Sequence, residues 1–342
     1  MRRPGGFAIS VVLLAAFHVL VIFAAWFAPY RYDTQHREHP YAPPSRIHFV
    51  DASGQFHWRP FVYGLKSGED APLEYKEDHS VMFPLKLFVP GEPYTLLWIF
   101  HGTTHFAGVD APGRIYPMGS DGLGRDQFSR LLYGGQVSIF AGLLAATFSV
   151  GLGTIIGGVA GLAGGIVDRI IMRIAEVFMA VPWFYLLLAI RAFLPLQMDE
   201  ARAFILVVVV LGLVWWARPA RLVRGVVLSA RERNFVLAAR GFGGSNSYIW
   251  RHHILRATLG VSATQLTLLV PQSIMVEGIL SFLGLGIGEP APSWGNLLAT
   301  AHQYDVMVSY WWMLLPVLVP IPLFFTYQMF ADRLQTRLQL DQ

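Results

Sequence analysis

The sequence of 342 residues is 54% hydrophobic and only 14% charged, with a mean hydropathy of +0.46; these values exclude an ordinary soluble globular domain and indicate a polytopic membrane protein. The net charge of +4 comes from arginines gathered near the ends of apolar runs, with lysine confined to positions 66, 76 and 86, a pattern of membrane topology and not of nucleic-acid binding. Cysteine is absent, which removes disulfides and thiolate metal sites.

The first apolar run, Phe7 to Phe27, is long enough to cross ~30 Å of hydrocarbon. It exceeds the core of a signal peptide, and Ala28-Pro29-Tyr30 is a poor cleavage site, so it reads as a retained span with Arg2 and Arg3 in the cytoplasm. A polar stretch follows. It holds ten acids between Asp33 and Asp110 against eight bases between Arg31 and Arg114, without the positive bias of a cytoplasmic loop. Aromatic and β-branched runs at 46–51, 57–65, 84–89 and 94–100, each bounded by turn residues, predict a small β-rich periplasmic insert over 31–115.

Five more apolar runs follow, at 137–162, 170–193, 203–220, 259–285 and 307–329, giving six spans and returning the C-terminus to the cytoplasm. Gly153, Gly157, Gly161 and Gly165 repeat every four residues, a small face that lets helix backbones approach closely. Pro182, Pro271, Pro316, Pro320 and Pro322 fall within spans three, five and six and predict kinks. Glu176 and Glu277 lie within spans, where a carboxylate lines a polar path, sits near an interface or bonds a neighbouring helix. Arg191 lies close enough to the outer end of its span to snorkel.

Between spans four and five runs Arg218 to Arg256, with eight arginines and one acid, Glu232, a composition that places the segment on the cytoplasmic side. Catalytic patterns are missing. No lysine follows a glycine-rich phosphate loop, the histidines of the insert form no HExxH pattern, and Ser120 and Ser129 have no histidine at a motif spacing. The chain is therefore expected to carry no catalysis, no metal and no cofactor of its own.

Phe235 through Ser245 and then Arg251 through Leu255 resemble the cytoplasmic EAA signature of ABC-importer permeases. Ala238, Ala239, Gly243, His253, Ile254 and Leu255 match it; Leu237 stands where the signature has glutamate, His252 where it has arginine, and Arg256 where it has proline. Gly119 to Gly134, with Asp121, Gly124, Arg125 and Asp126, is similar to the GTDxLGRDxxSRxxxG block of the dipeptide, oligopeptide and nickel branch of these permeases. Leu280 to Gly286, with Gly284 and Gly286, and Pro292 to Asn296, with Trp294, are similar to its LSFLGLG and PxWG run. Asp168-Arg169 with Met172-Arg173 and Pro182 adds a weaker match, and the likeness covers about residues 1–30 and 115–335.

The resemblance implies an all-α, six-helix type I ABC importer permease of the bacterial inner membrane, with a five-helix core over 116–342 and a cytoplasmic coupling segment at 228–257. It implies as partners a second, related permease, one or two ATPase subunits and a periplasmic binding protein delivering peptides or similar solutes. Ser245 is placed to cap a short helix carrying Ile249, Trp250, His253 and Ile254 on one side, a face suited to a partner's groove. The residues themselves also allow an interfacial helix lying on lipid, a scaffold or receptor recruiting a cytoplasmic partner through the same segment, or a membrane enzyme with its site in the insert.

Overall fold

The computed structural model describes residues 5–68, 73–96, 99–193 and 199–340. Arg2 and Arg3 lie outside these, as does the side chain of Arg191. The chain divides into two compact units: residues 1–13, 139–277 and 324–342 form the first, and residues 14–138 and 278–323 the second.

The first apolar run forms α1 (Gly5–Ile22) and, after a break at Phe23, the single turn α2 (Ala24–Phe27). The insert then folds as β1 (His48–Val50), β2 (Phe56–Ser67), β3 (Tyr75–Pro84), β4 (Lys86–Leu96) and β5 (Phe100–Gly108). The first three strands make an antiparallel sheet in the order β1-β2-β3, with Phe61 opposite Pro84 and Lys66 opposite Lys76, and the last two form a hairpin with Val89 opposite His105. The runs at 84–89 and 94–100 fall mainly on the single strand β4, β5 lies beyond them, and β3 was not anticipated. Its Lys76-Glu77-Asp78-His79-Ser80 is too polar to alternate visibly, and it holds its place by backbone pairing to β2, whose Phe61, Val62 and Tyr63 are buried.

The helical part departs from straight spans. α3 (Gln127–Ala163) starts ten residues before the apolar run, because its first turns are buried through polar partners. The third run is two helices, α4 (Gly165–Ala180) and α5 (Trp183–Ala192), bent by 85° at Val181-Pro182. The fourth is α6 (Glu200–Trp215) and α7 (Ala217–Ala230), bent by 46°, so the helix continues well into the arginine segment. Then come α8 (Asn234–Gly241), α9 (Asn246–Ile249), a π-helical turn at Trp250–Ile254 and α10 (Leu255–Phe282), which Pro271 does not interrupt. α11 (Trp294–Ala301) and α12 (Tyr304–Ser309) precede a 3₁₀ turn at Trp311–Leu314, α13 (Leu315–Leu318) and α14 (Pro320–Leu340). Among the described residues, Gln127–Ala163, Asn246–Phe282 and Trp311–Arg337 are long and apolar enough to cross a membrane, and each bent pair adds one more if it counts as a span.

Within the first unit the glycine face of α3 meets α7 directly. A β-carbon on Gly157 would lie 2.2 Å from the Ala220 carbonyl oxygen, one on Gly153 2.8 Å from that of Trp216, and one on Gly161 2.7 Å from the Val227 side chain. The repeat ends there, since Gly165 has nothing within 4 Å. Asp168 of α4 holds the guanidinium of Arg224 on α7 through both carboxylate oxygens, and Arg231 donates to the Gly161 carbonyl at 3.4 Å. Two of the eight arginines therefore fasten helices together, while 218, 221, 233, 240, 251 and 256 are exposed.

Candidate functional site

The arginine segment builds a helix-turn-helix on the first unit. α8 ends in a turn at Phe242–Gly244, where Gly243 takes φ +81°, a conformation that penalises a β-carbon. Gly241 and Gly244 do not share it, although a β-carbon on Gly244 would lie 2.7 Å from the Ala239 carbonyl oxygen. Ser245 caps the next helix as expected, its hydroxyl accepting from Tyr248 N at 3.2 Å. That helix runs through the π turn into α10 without a stop, so it is the first turns of a long helix and not a separate short one.

The expected docking face points the other way. Ile249 and Ile254 are fully buried and pack with Val223, Val227, Ala230 and Val236, while Trp250 lies against this cluster with its indole over Gly158, where a β-carbon would come within 2.1 Å. The apolar side of a helix seeks cover, and here the chain's own helices supply it. The outward side is a different set: Phe235, Leu237, Tyr248, Leu255 and, at 93% exposure on the turn, Phe242. Tyr248 stacks on His252 at 4.3 Å between centroids, and Phe235 lies 5.5 Å from His253. Ala238 is exposed, Ala239 and His253 half-buried. Sequence reasoning missed this aromatic rim, although three aromatic residues flanking a glycine turn in so polar a stretch were a signal for it.

In the second unit, two other blocks converge. Asp121 Oδ1 accepts from Leu123 N and Arg125 N, both at 2.9 Å, and its Oδ2 accepts from Arg125 Nε at 2.7 Å. Gly124 takes φ +72°, and a β-carbon there would lie 1.9 Å from the His36 carbonyl oxygen. Glu289 receives Arg125 at 2.6 Å and the buried Arg130 at 2.7 Å, joining the start of α3 to the loop before α11. These pairs and their hydrogen bonds hold the Arg125 guanidinium above its ordinary value against the opposing effect of burial. Asp126 caps α3 by accepting from Ser129 N and Oγ with Oδ2; its Oδ1 is buried without a hydrogen-bond partner, and burial pushes the carboxyl up to about 7. Trp294 is buried, donating from its indole to the Leu131 carbonyl at 3.2 Å, beside a Ser293–Asn296 capping box. Gly284 takes φ +70°, and a β-carbon on Gly286 would lie 2.3 Å from Ser281 Oγ.

Glu176 is exposed on α4 and pairs with Arg173 at 3.1 Å. Glu277 is fully buried in α10 and borders no open space in this chain. At the Pro182 bend a cleft of about 390 Å³ is lined by Phe178, Trp183, Trp215, Arg218 and Gln272, among others. Among the described residues no three histidine or acidic side chains are placed to share a metal ion.

Residues 153–340, over half of the chain, match the family described as binding-protein-dependent transport system inner membrane component. The chain belongs to that family. Residues 2–44 of this inner membrane component also match the N-terminal TM domain of oligopeptide transport permease C. It is 37% identical to the dipeptide transport system permease protein DppC of Bacillus subtilis over 59% of its own length and 61% of that protein's. To the oligopeptide transport system permease protein OppC of B. subtilis it is 33% identical over 68% of its own length and 76% of the relative's. The probable D,D-dipeptide transport system permease protein DdpC of Escherichia coli is 34% identical over 60% and 68%. Among solved structures, inward-facing conformations of the MetNI methionine ABC transporter match at 18% identity and a TM-score of 0.40, over 58% of this chain and 94% of that one. The family models leave residues 45–152 unmatched, and this stretch contains β1 to β5.

Proposed function

We propose that this inner membrane component is one permease subunit of an ABC importer for peptides, paired with a second permease and driven by separate ATPase subunits supplied with solute by a periplasmic binding protein. The observation that carries the reading is the exposed rim of Phe235, Leu237, Phe242 and Tyr248 around the Gly243 turn, with the helix beneath it anchored by Ile249 and Ile254. An aromatic residue exposed to this degree at the apex of a polar turn fits a pocket on a protein partner. Leu237, where related permeases have glutamate, makes that contact apolar in place of ionic. Gly243 and Ser245 set the turn; Trp250, Ile254 and the half-buried His253 support it from behind.

In this reading six spans place the insert in the periplasm and both termini in the cytoplasm. Support comes from the first unit, where Phe7 of α1 stacks on Phe330 of α14 at 5.4 Å and lies beneath the Arg337 guanidinium at 4.0 Å, so the two end helices meet at their terminal ends. The chain binds neither nucleotide nor cofactor, and catalysis belongs to the ATPase. The exposed Glu176 and the cleft at Pro182 are the positions that a second permease would bring to a shared path.

The test uses the chain purified with its ATPase and companion permease. Phe242→Ala should cut ATPase co-purification and peptide uptake about tenfold or more, as loss of an interface anchor does, with the melting temperature of the chain unchanged. Ile254→Ala should lower that temperature. Full ATPase retention and uptake by the Phe242 variant would sink the docking role.

A further inference from the structure

The insert has an apolar corner that no strand or helix among the described residues of its own unit covers. β4 carries Leu87 and Phe88 with exposures of 64% and 59%, although neighbouring residues of a regular strand face opposite sides and one of them is normally sheltered. Phe88 takes φ +58°, which interrupts the alternation. Its ring lies 6.2 Å from Trp26 and 6.2 Å from Phe106, and Phe106 lies 5.1 Å from Trp26 and 5.3 Å from Phe27. The hairpin base is thus packed on the last turn of the first apolar segment.

What covers the corner follows from what it continues. One side of α1 and α2, with Leu20, Ala24, Phe27 and Ala28, is taken up by Leu132 and Phe128 of α3. The other side exposes Val19 and Phe23, and Phe88 prolongs that exposed side past Trp26. Polarity rises past the aromatic residues of both segments, and on β4 it also rises on the other side of Leu87, where Lys86 pairs with Asp110. Phe23 and Trp26 give way to Arg31 and Thr34, while Leu87 and Phe88 give way to Glu92, whose carboxylate accepts from Arg31 N at 3.1 Å and Thr34 Oγ1 at 2.5 Å. His105 lies at the same level, its Nδ1 2.6 Å from the Ala28 carbonyl oxygen and its Nε2 3.0 Å from that of Glu92, so that whichever nitrogen carries the proton donates to one of them. A short apolar and aromatic step with charged residues close on both sides, set beside the end of an apolar helix, has the composition of the headgroup boundary, where aromatic residues concentrate and lysine stems snorkel.

We infer that Leu87 and Phe88 seat the β4–β5 hairpin in the outer headgroup and upper acyl layer of the bilayer, so that the insert rests on lipid. The inference depends on α1 being a membrane span, and the experiment separates the two. Because the sequence has no cysteine, single variants Phe88→Cys, Leu87→Cys and the reference Val19→Cys can each take one environment-sensitive maleimide fluorophore. The full chain is reconstituted into phosphatidylethanolamine–phosphatidylglycerol vesicles and exposed to iodide or to lipid bearing a nitroxide near the ester end of its acyl chain. Labels at 87 and 88 should be quenched several-fold more strongly by the nitroxide lipid than by iodide, as at 19. Iodide quenching at 87 and 88 with lipid quenching at 19 puts the hairpin in water and overturns the inference. Shielding of 87 and 88 from both quenchers means a protein surface, such as a second copy, covers them, and overturns it equally. Failure of the lipid to quench at 19 removes the spanning reading of α1 and this inference with it.

Discussion

At the residue scale, Asp126 shows a motif position acting through protonation. The sequence marks it as one of two aspartates in a family block, but not that its Oδ1 lies buried without a partner while Oδ2 caps α3. That difference depends on burial, which the motif does not encode. The carboxyl releases its proton near 3.8 in the unfolded chain and at about 7 in the fold. The folded state therefore holds the extra proton between these values, and stability is fully present below about pH 4 and falls by up to about 1.4 kcal/mol per pH unit as pH rises toward 7. His36 works in the opposite sense. Burial and the neighbouring Arg114 push it down to about 4, so the unfolded chain takes up its proton first and stability drops as pH falls from 6.5 toward 4. The Asp126 contribution is isolated by comparing the wild type with Asp126→Asn, which keeps the cap oxygen and cannot ionise. In detergent melts at pH 5 and pH 8, the wild type should lose more stability on going to the higher pH than the variant does. Equal losses in the two proteins would show that Asp126 is already ionised at pH 5.

At the element scale, the glycine repeat of α3 was legible because a small face has one structural use, and Gly153, Gly157 and Gly161 all meet α7 at backbone distance. The segment proposed to dock was legible only by half. Its spacing showed that Ile249, Trp250 and Ile254 share a face, but a pattern records that a face is apolar, not whether the chain's own helices or a partner cover it. The polar start of α3 and the strand β3 were hidden for a related reason, since Arg130 is buried by its ion pair with Glu289 and β3 is held by main-chain pairing. The glycines permit a controlled comparison inside one helix. Gly157→Ala would push its methyl into the Ala220 carbonyl oxygen and should destabilise by about 1–3 kcal/mol through displacement of α7. Gly151→Ala meets nothing within 4 Å and should leave stability unchanged or raise it by up to about 1 kcal/mol through alanine's higher helix propensity. Unfolding of the two variants in mixed micelles measures both, and similar effects at the two positions would mean that α3 and α7 are not in backbone contact.

At the scale of the whole molecule, the number of crossings turns on the two bent pairs. The composition of each run is that of a span, but Pro182 removes a helix hydrogen bond and the chain turns by 85° there, a geometry shared by broken spans and by re-entrant loops. Hydropathy alone does not distinguish them, because both bury the same apolar residues. Parity does. Between the insert and the docking segment lie α3, the α4–α5 pair and the α6–α7 pair; if each crosses once, residues 80 and 247 are on opposite sides of the membrane, and one re-entrant pair puts them on the same side. Phe193, exposed between the pairs, identifies which pair is responsible. Single cysteines at the exposed positions Ser80, Phe193 and Ser247 are therefore probed with a membrane-impermeant maleimide, first on cells with a permeabilised outer membrane and then after lysis. Three crossings predict labelling of Ser80→Cys and Phe193→Cys in the intact inner membrane and of Ser247→Cys only after lysis. Reaction at 193 and 247 only after lysis would leave both bent pairs without a crossing, while reaction at all three positions in intact membranes would leave α6–α7 alone without one. Protection of 193 with exposure of 80 and 247 arises when α6–α7 does cross and α4–α5 does not, so the three reporters together assign each bent pair.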